Sequence, residues 1–259
     1  MIYSLHDEAE KFLEILSGTG KGAVLTGAGI STESGIPDYR SPDKGLWEKM
    51  DQSVVSLDGF MQNPSAYYSY ALELHPVRSA AKPNAGHFLF AELEARKMTN
   101  GVITQNVDGL HGEAGSKTVH ELHGSIRETV CIKCGGKTPM DEVMKRVKNG
   151  QTAPECECGG ILKPNAVFFG EPLPREPWNA AIELVEECGV LIVAGSSLLV
   201  TPASTLPQIA LRNGAKLIIL NLMETPYDKD SDLVVREKIA VFAAEATKIL
   251  SDLKTEFLN

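Results

Sequence analysis

Apolar positions along the chain follow two rhythms that alternate. From Ser4 to Leu16 they recur at helical spacing: Leu5, Ala9, Phe12, Leu13 and Leu16 share one face. Ser4 with Asp7 makes a capping-box-like start, and Gly18 and Gly20 end the segment. Ala23 to Thr26 is then predicted as a buried strand, apolar from Ala23 to Leu25. The same alternation returns further on. Asn84 to Lys97 is predicted as a helix with Phe88, Leu89 and Leu93 inward, and Gly101 to Thr104 and Val119 to Leu122 as strands. Pro177 to Glu187, Ala203 to Arg212 and Val241 to Leu253 have helical character, separated by strands at Val190 to Ala194 and Lys216 to Leu220. Strands alternating with helices of this length imply an α/β fold, a Rossmann-like doubly wound parallel sheet covered on both faces. No internal repeat or low-complexity tract interrupts it.

Two stretches break the rhythm. Asp43 to Tyr70 scatters Trp47, Phe60, Tyr67, Tyr68 and Tyr70 among short polar turns, as a small helical excursion beside the sheet would. Ser125 to Pro164 carries paired cysteines, charges and Lys/Gly turns, and is expected to be an inserted module. The expected organisation is therefore a Rossmann-like domain in three parts (1–40, 83–124 and 165–259), with a helical, cofactor-loop module at 41–82 and a small zinc-binding module at 125–164.

The cysteines give that module its chemistry. Cys131-x-x-Cys134 and Cys156-x-Cys158 are two knuckles flanking the charged, helix-like stretch from Pro139 to Gly150. Four thiolates so placed suit a tetrahedral structural zinc and leave no open position for a catalytic water. Cys188 follows an apolar helix and is expected to be a small buried hydrophobe.

Composition narrows the partners. The chain has 259 residues and a formal net charge of -9, which disfavours nucleic acid as a direct partner. The start is acidic and amphipathic, without a basic segment leading into an apolar run, and no stretch has the length of a membrane span. Clustered cysteines in such a chain favour metal over disulfides, and a cytoplasmic protein is expected.

The polar clusters converge on one end of the predicted sheet. Gly27-Ala28-Gly29, Gln105-Asn106-Val107-Asp108, Gly195-Ser196-Ser197 and Asn221 each follow a strand, where ligands bind in open parallel sheets. Gly27 and Gly29 match the first two glycines of a dinucleotide fingerprint, their amides expected to close on a phosphate. Thr32 stands where the third glycine belongs, and a charged, aromatic segment, Gly35 to Arg40, replaces the long helix.

Together these pieces resemble the sirtuins, the NAD-dependent protein deacylases. The resemblance covers nearly the whole chain and is carried by Gly27-Ala28-Gly29-Ile30-Ser31, Gly35-Ile36-Pro37-Asp38-Tyr39-Arg40, Thr104-Gln105-Asn106-Val107-Asp108, His120-Glu121-Leu122-His123-Gly124, the four cysteines, Phe169-Gly170-Glu171 and Gly195-Ser196-Ser197-Leu198. It implies that NAD is consumed: the acyl oxygen of an acyl-lysine attacks C1′ of the nicotinamide ribose, nicotinamide leaves, and lysine and O-acyl-ADP-ribose result. On this resemblance His123 is the general base and Asn106 orients ribose and water. Asp108 and the backbone of Val107 take the carboxamide, and Gln105 contacts ribose. Arg40 and the amides near Ala28 and Thr32 hold phosphate, with Asp38 and Tyr39 in the same loop. Gly195, Ser196, Ser197, Asn221, Leu222 and Ala240 surround the adenosine end. Val167, Phe168, Phe169, Gly170 and Glu171, with the segment after Ser197, flank a substrate peptide that adds as a third strand.

Two details are particular to this chain. Tyr39 stands where the family more often has Phe, so its hydroxyl needs a partner. Relatives that favour succinyl or malonyl lysine carry a Tyr-x-x-Arg pair in the helical excursion, whereas Tyr67, Tyr68 and Tyr70 are followed at that spacing by Tyr70, Ala71 and Glu73. An uncharged acyl group, acetyl first, is expected. The competing functions are a mono-ADP-ribosyltransferase on the same fold and a non-enzymatic NAD or ADP-ribose sensor.

Overall fold

Five-residue apolar runs cannot be solvated, and the molecule places them at the centre of a parallel sheet. A computed structural model describes residues 4–256 apart from 43, 44 and 49, so that Asp43, at the start of the expected excursion, lies outside the described residues. The elements in chain order are α1 (Leu5–Thr19), β1 (Gly22–Thr26), α2 (Leu57–Gln62), α3 (Pro64–Ala80), α4 (Ala85–Ala95), β2 (Thr99–Thr104), α5 (Leu110–Ala114), β3 (Val119–Glu121) and β4 (Gly124–Cys131). There follow β5 (Lys137–Pro139), α6 (Met140–Lys148), β6 (Leu162–Ala166), α7 (Arg175–Glu186), β7 (Val190–Ala194), α8 (Leu206–Arg212), β8 (Lys216–Leu220), β9 (Leu233–Val235) and α9 (Ile239–Glu256).

The main sheet runs β3-β2-β1-β7-β8-β9, all parallel. Counted in chain order its strands stand 3-2-1-4-5-6, the doubly wound order whose switch point lies between β1 and β7. One face is covered by α1, α4 and α9, where Phe12 meets Phe242 edge-on at 5.2 Å. The other face packs on α7 and α8. Ser4 and Asp7 close the capping box of α1. In α4 the inward stripe is Gly86, Leu89, Phe90 and Leu93, spaced i, i+3, i+4, i+7, with His87 beside it. Phe88, expected inward, falls on the outer face and is 52% exposed.

The two excursions share one core. The antiparallel sheet β5-β4-β6 and the inner stripe of α6 pack against Phe60, Tyr67, Tyr68 and Ala71 from α2 and α3. Tyr68 ties them by donating its hydroxyl to the Leu162 carbonyl at 2.5 Å. Among the described residues no helix is long and apolar enough to cross a membrane.

Candidate active site

A cavity of about 860 Å³ opens at the carboxyl ends of β1, β2 and β7, between the main sheet and the second core. Its size is that of a site for a cofactor-sized ligand. The switch point is held by glycine because two backbones touch there. A Cβ on Gly29 would stand 2.7 Å from the Gly195 Cα, and one on Gly195 would stand 2.3 Å from the Ile30 nitrogen. The Gly27 amide donates to the Ala194 carbonyl at 3.0 Å and the Gly29 amide to the Gly195 carbonyl at 2.9 Å. These two amides are therefore spent inside the protein, not held out to a phosphate as the fingerprint suggested. In place of the long helix the chain makes one short 3-10 turn, Ala28–Ser34, ended by Gly35 at φ 89°.

Asp38 builds the next loop. Its carboxylate accepts the Arg40 and Ser41 amides at 2.9 and 2.7 Å, which places Tyr39 and Arg40 on the cavity wall. The Tyr39 ring lies 4.7 Å from Trp47, and Trp47 lies 5.8 Å from Phe169, so an aromatic chain joins this loop to the expected substrate segment.

From β2 the chain delivers Gln105, Asn106 and Val107 to the wall. Gln105 donates to the Ser196 hydroxyl at 2.9 Å. The Asn106 amide group donates to the Gly27 carbonyl at 3.2 Å and to the Ser31 hydroxyl at 3.1 Å, which fixes its flip and leaves Oδ1 as an acceptor. Asp108 is not on the wall; its carboxylate accepts from the Ser31 hydroxyl at 2.7 Å and from the Leu110 amide at 3.0 Å. It stands behind Asn106, linked through Ser31.

His123 ends the turn from β3 and lines the cavity, whereas His120 does not. Its Nδ1 is 2.9 Å from the Gln105 carbonyl. A carbonyl can only accept, so Nδ1 carries the proton and Nε2 keeps its lone pair. Burial pushes the pKa of His123 below the ordinary imidazole value, and the bond to Gln105 opposes this only in part. At neutral pH the ring is a neutral base.

The expected substrate segment is already braced. The amides of Val167, Phe168 and Phe169 donate to the His123 carbonyl at 2.8 Å, the Glu171 carboxylate at 2.7 Å and the Val55 carbonyl at 3.0 Å. Glu171 also pairs with Lys163 at 2.8 Å. The three amides from 167 to 169 are therefore already engaged and offer no free ladder to an added strand.

At the far end Gly195, Ser196, Ser197, Asn221 and Leu222 are on the wall. Ala240 is not; its amide caps Glu33 at 2.7 Å. The wall also holds residues that neighbouring sequence did not reveal, notably Glu33, Tyr70, Arg78, Trp178 and Lys238. Arg78 arrives from the last turn of α3, eight residues after Tyr70, and its guanidinium lies 5.8 Å from the centre of the Tyr70 ring. A search at i+3 spacing misses it.

The four sulfurs of Cys131, Cys134, Cys156 and Cys158 lie within 4.8 Å of one another, two pairs at 3.5 and 3.8 Å. A tetrahedron with Zn–S near 2.3 Å has edges of about 3.8 Å, so the set fits zinc. Gly160 supports the cradle, since a Cβ there would stand 2.5 Å from the Cys131 sulfur. Cys188 is buried and apart.

A model of the Sir2 family matches residues 27–202, the span from the switch-point turn to the end of the wall after β7. The chain belongs to the Sir2 family. Among its relatives, the NAD-dependent protein deacetylase of Sulfolobus acidocaldarius is 44% identical over 96% of this chain and 98% of its own length. That of Thermotoga maritima is 43% identical over 90% and 95%. Among solved Sir2 structures, a complex with p53 peptide and NAD+ superposes with a TM-score of 0.88 at 41% identity, covering 93% of this chain and 98% of that one. A histidine-to-alanine Sir2 variant holding deacetylated p53 peptide and 3′-O-acetyl ADP ribose gives a TM-score of 0.90 at 42% identity, with the same coverage.

Proposed function

We propose that this Sir2 protein is an NAD-dependent protein-lysine deacetylase, acting in the cytoplasm and formally transferring the acetyl group to ADP-ribose. The observation that carries this reading is His123: a half-buried imidazole whose protonated Nδ1 is tied to Gln105, so that Nε2 is a base on the same wall as Asn106. NAD supplies an electrophilic ribose carbon and a leaving group, nicotinamide. The residues of this chain do the rest. Asn106 turns Oδ1 toward the cavity and can orient a ribose hydroxyl or a water. His123 takes the hydroxyl proton at Nε2. Tyr39 and Trp47 exclude water above the reacting bond, and Arg40 meets phosphate charge at the wall. Serines 196 and 197 and Asn221 border the adenosine end. An acetyl-lysine peptide enters along Val167 to Glu171, its main chain pairing at Gly170 and its side chain passing Phe168.

The relatives' catalysed reaction and the complexes with NAD, peptide and acetyl-ADP-ribose support the proposal. Four thiols poised for one metal support a reducing location. The test is incubation with NAD and an acetyl-lysine peptide, following nicotinamide, peptide mass and O-acetyl-ADP-ribose together. Equal amounts of the three are expected, with loss of all three in His123→Ala while NAD still binds. Protein-linked ADP-ribose in place of the acetylated product would make the chain an ADP-ribosyltransferase. NAD binding with no turnover in the parent would make it a sensor.

A further inference from the structure

Behind Asn106, on the side of β1 and β2 away from the cavity, two histidines are buried side by side. His87 is 0% and His111 2% exposed, and their ring centres lie 4.9 Å apart. Each ring has one nitrogen engaged and one without a protein partner: His87 Nε2 and His111 Nδ1. Burial holds both rings neutral at pH 7. The engaged partners then determine which nitrogen carries each proton. The Asn84 amide donates to His87 Nδ1 at 3.2 Å, so the proton of His87 is on Nε2. The Thr26 hydroxyl donates to the Thr104 hydroxyl oxygen at 2.8 Å. Thr26 can therefore only accept from His111 Nε2, 2.9 Å away, so Nδ1 of His111 is bare. The unpartnered pair is thus one donor and one acceptor, complementary but not bonded to each other. Thr104 Oγ1 also accepts the Asn106 amide at 3.0 Å.

We infer that one buried water joins His87 Nε2 to His111 Nδ1. It completes a hydrogen-bond chain that runs in one direction from the start of α4, through Thr26, to the Thr104 hydroxyl oxygen, where the main-chain amide of Asn106 donates from the other side. His87, His111 and Thr26 are then positioning residues for Asn106, touching neither NAD nor peptide. The chain fixes the peptide plane from which Asn106 projects, while Gly27 and Ser31 fix its side chain. Buried polar chains of this kind are stable when every member is satisfied, and one water with two ring partners satisfies the last two. Misplacing a group that orients a reactant costs rate more than binding.

This inference rests on the proposed role of Asn106, so its first measurement does not use activity. Nitrogen-15 NMR of the histidines in the full protein is expected to find both His87 and His111 neutral with the proton on Nε2. His111 protonated on Nδ1 would reverse the chain and overturn the inference. The second measurement compares Thr26→Val, which keeps the volume and removes the hydroxyl, with Thr26→Ser, which keeps the hydroxyl. Thr26→Val is expected to lower kcat about tenfold or more with the KM for NAD within about threefold, and Thr26→Ser to stay near the parent. Equal kcat in all three overturns it. Should Thr26→Val fail to fold, the NMR result decides alone. A parent without deacetylase activity but with the expected protonation pattern would sink the proposed function and leave the water chain standing.

Discussion

His123 owes its basicity to what surrounds it, and that environment predicts a pH profile. Burial lowers its pKa, so protonation, which removes the base, requires a pH below the ordinary value near 6.5. The acid limb of kcat/KM for the acetyl peptide should therefore fall below pH 6.5; a limb centred above 7 would exclude His123 as the group that titrates. Arg78 sets a second test at the same scale. Among the described residues no carboxylate forms a salt bridge with it, and its guanidinium donates to the Tyr70 hydroxyl at 3.4 Å. A guanidinium on a cavity wall with only neutral partners favours a substrate carboxylate. The acetyl peptide should remain the faster substrate. Arg78→Met should lower the succinyl peptide's turnover about tenfold and leave the acetyl peptide's within about threefold. Equal losses for both acyl groups would give Arg78 a packing role only. Its distance in sequence from Tyr70 is why a motif scan passes over it, whereas His123 and Asn106 are legible because each follows a short strand directly.

At the scale of elements, what could be read from the chain depended on how local each element's reason is. The runs at Val190–Ala194 and Lys216–Leu220 are strands over those same residues, because the five apolar residues of the first and the four that follow Lys216 in the second leave no polar face to expose. β9 leaves no such trace in the sequence: Leu233–Val235 is three residues long, too short for periodicity to register, and forms by pairing with β8. The union of the two excursions was equally hidden. The stripe Met140, Val143, Met144 and Val147 is visible in α6, but nothing nearby says that it packs on Tyr67 and Tyr68. That union gives the zinc cradle a functional reach. Cys131 is itself part of the shared core, which includes Phe168 and Tyr67 at the cavity wall. Removing the metal, by chelation or by Cys158→Ser, should therefore loosen the peptide side of the site along with the small sheet. The expected result is loss of bound zinc, a lower melting temperature and a raised KM for peptide. Unchanged peptide KM after complete zinc loss would confine the metal's effect to the β5-β4-β6 sheet.

Across the whole molecule, the buried His87–His111 pair couples the site's rear wall to global stability. Burial lowers His87 to about 4 and His111 to about 3, with the Asp108 carboxylate opposing the shift at His87 and the His87 ring adding to it at His111. An exposed imidazole titrates near 6.5, so between that value and the folded ones the unfolded chain binds protons that the native protein refuses. Stability from this pair is thus complete above pH 6.5 and is lost as pH falls toward 4. Each refused proton contributes a slope of up to about 1.4 kcal/mol per pH unit. The window from pH 6.5 to 5 lies above the ordinary carboxylate range, which isolates the histidines from most acidic groups. His123 and His120, both lowered by burial, add in the same direction, so the pair must be separated from them by substitution. Urea unfolding of the parent at pH 7.5, 6 and 5 should give midpoints that decline with pH, and His111→Leu should flatten that decline by one proton's worth. An equal decline in the variant would show that the rear wall does not carry the acid sensitivity of the fold.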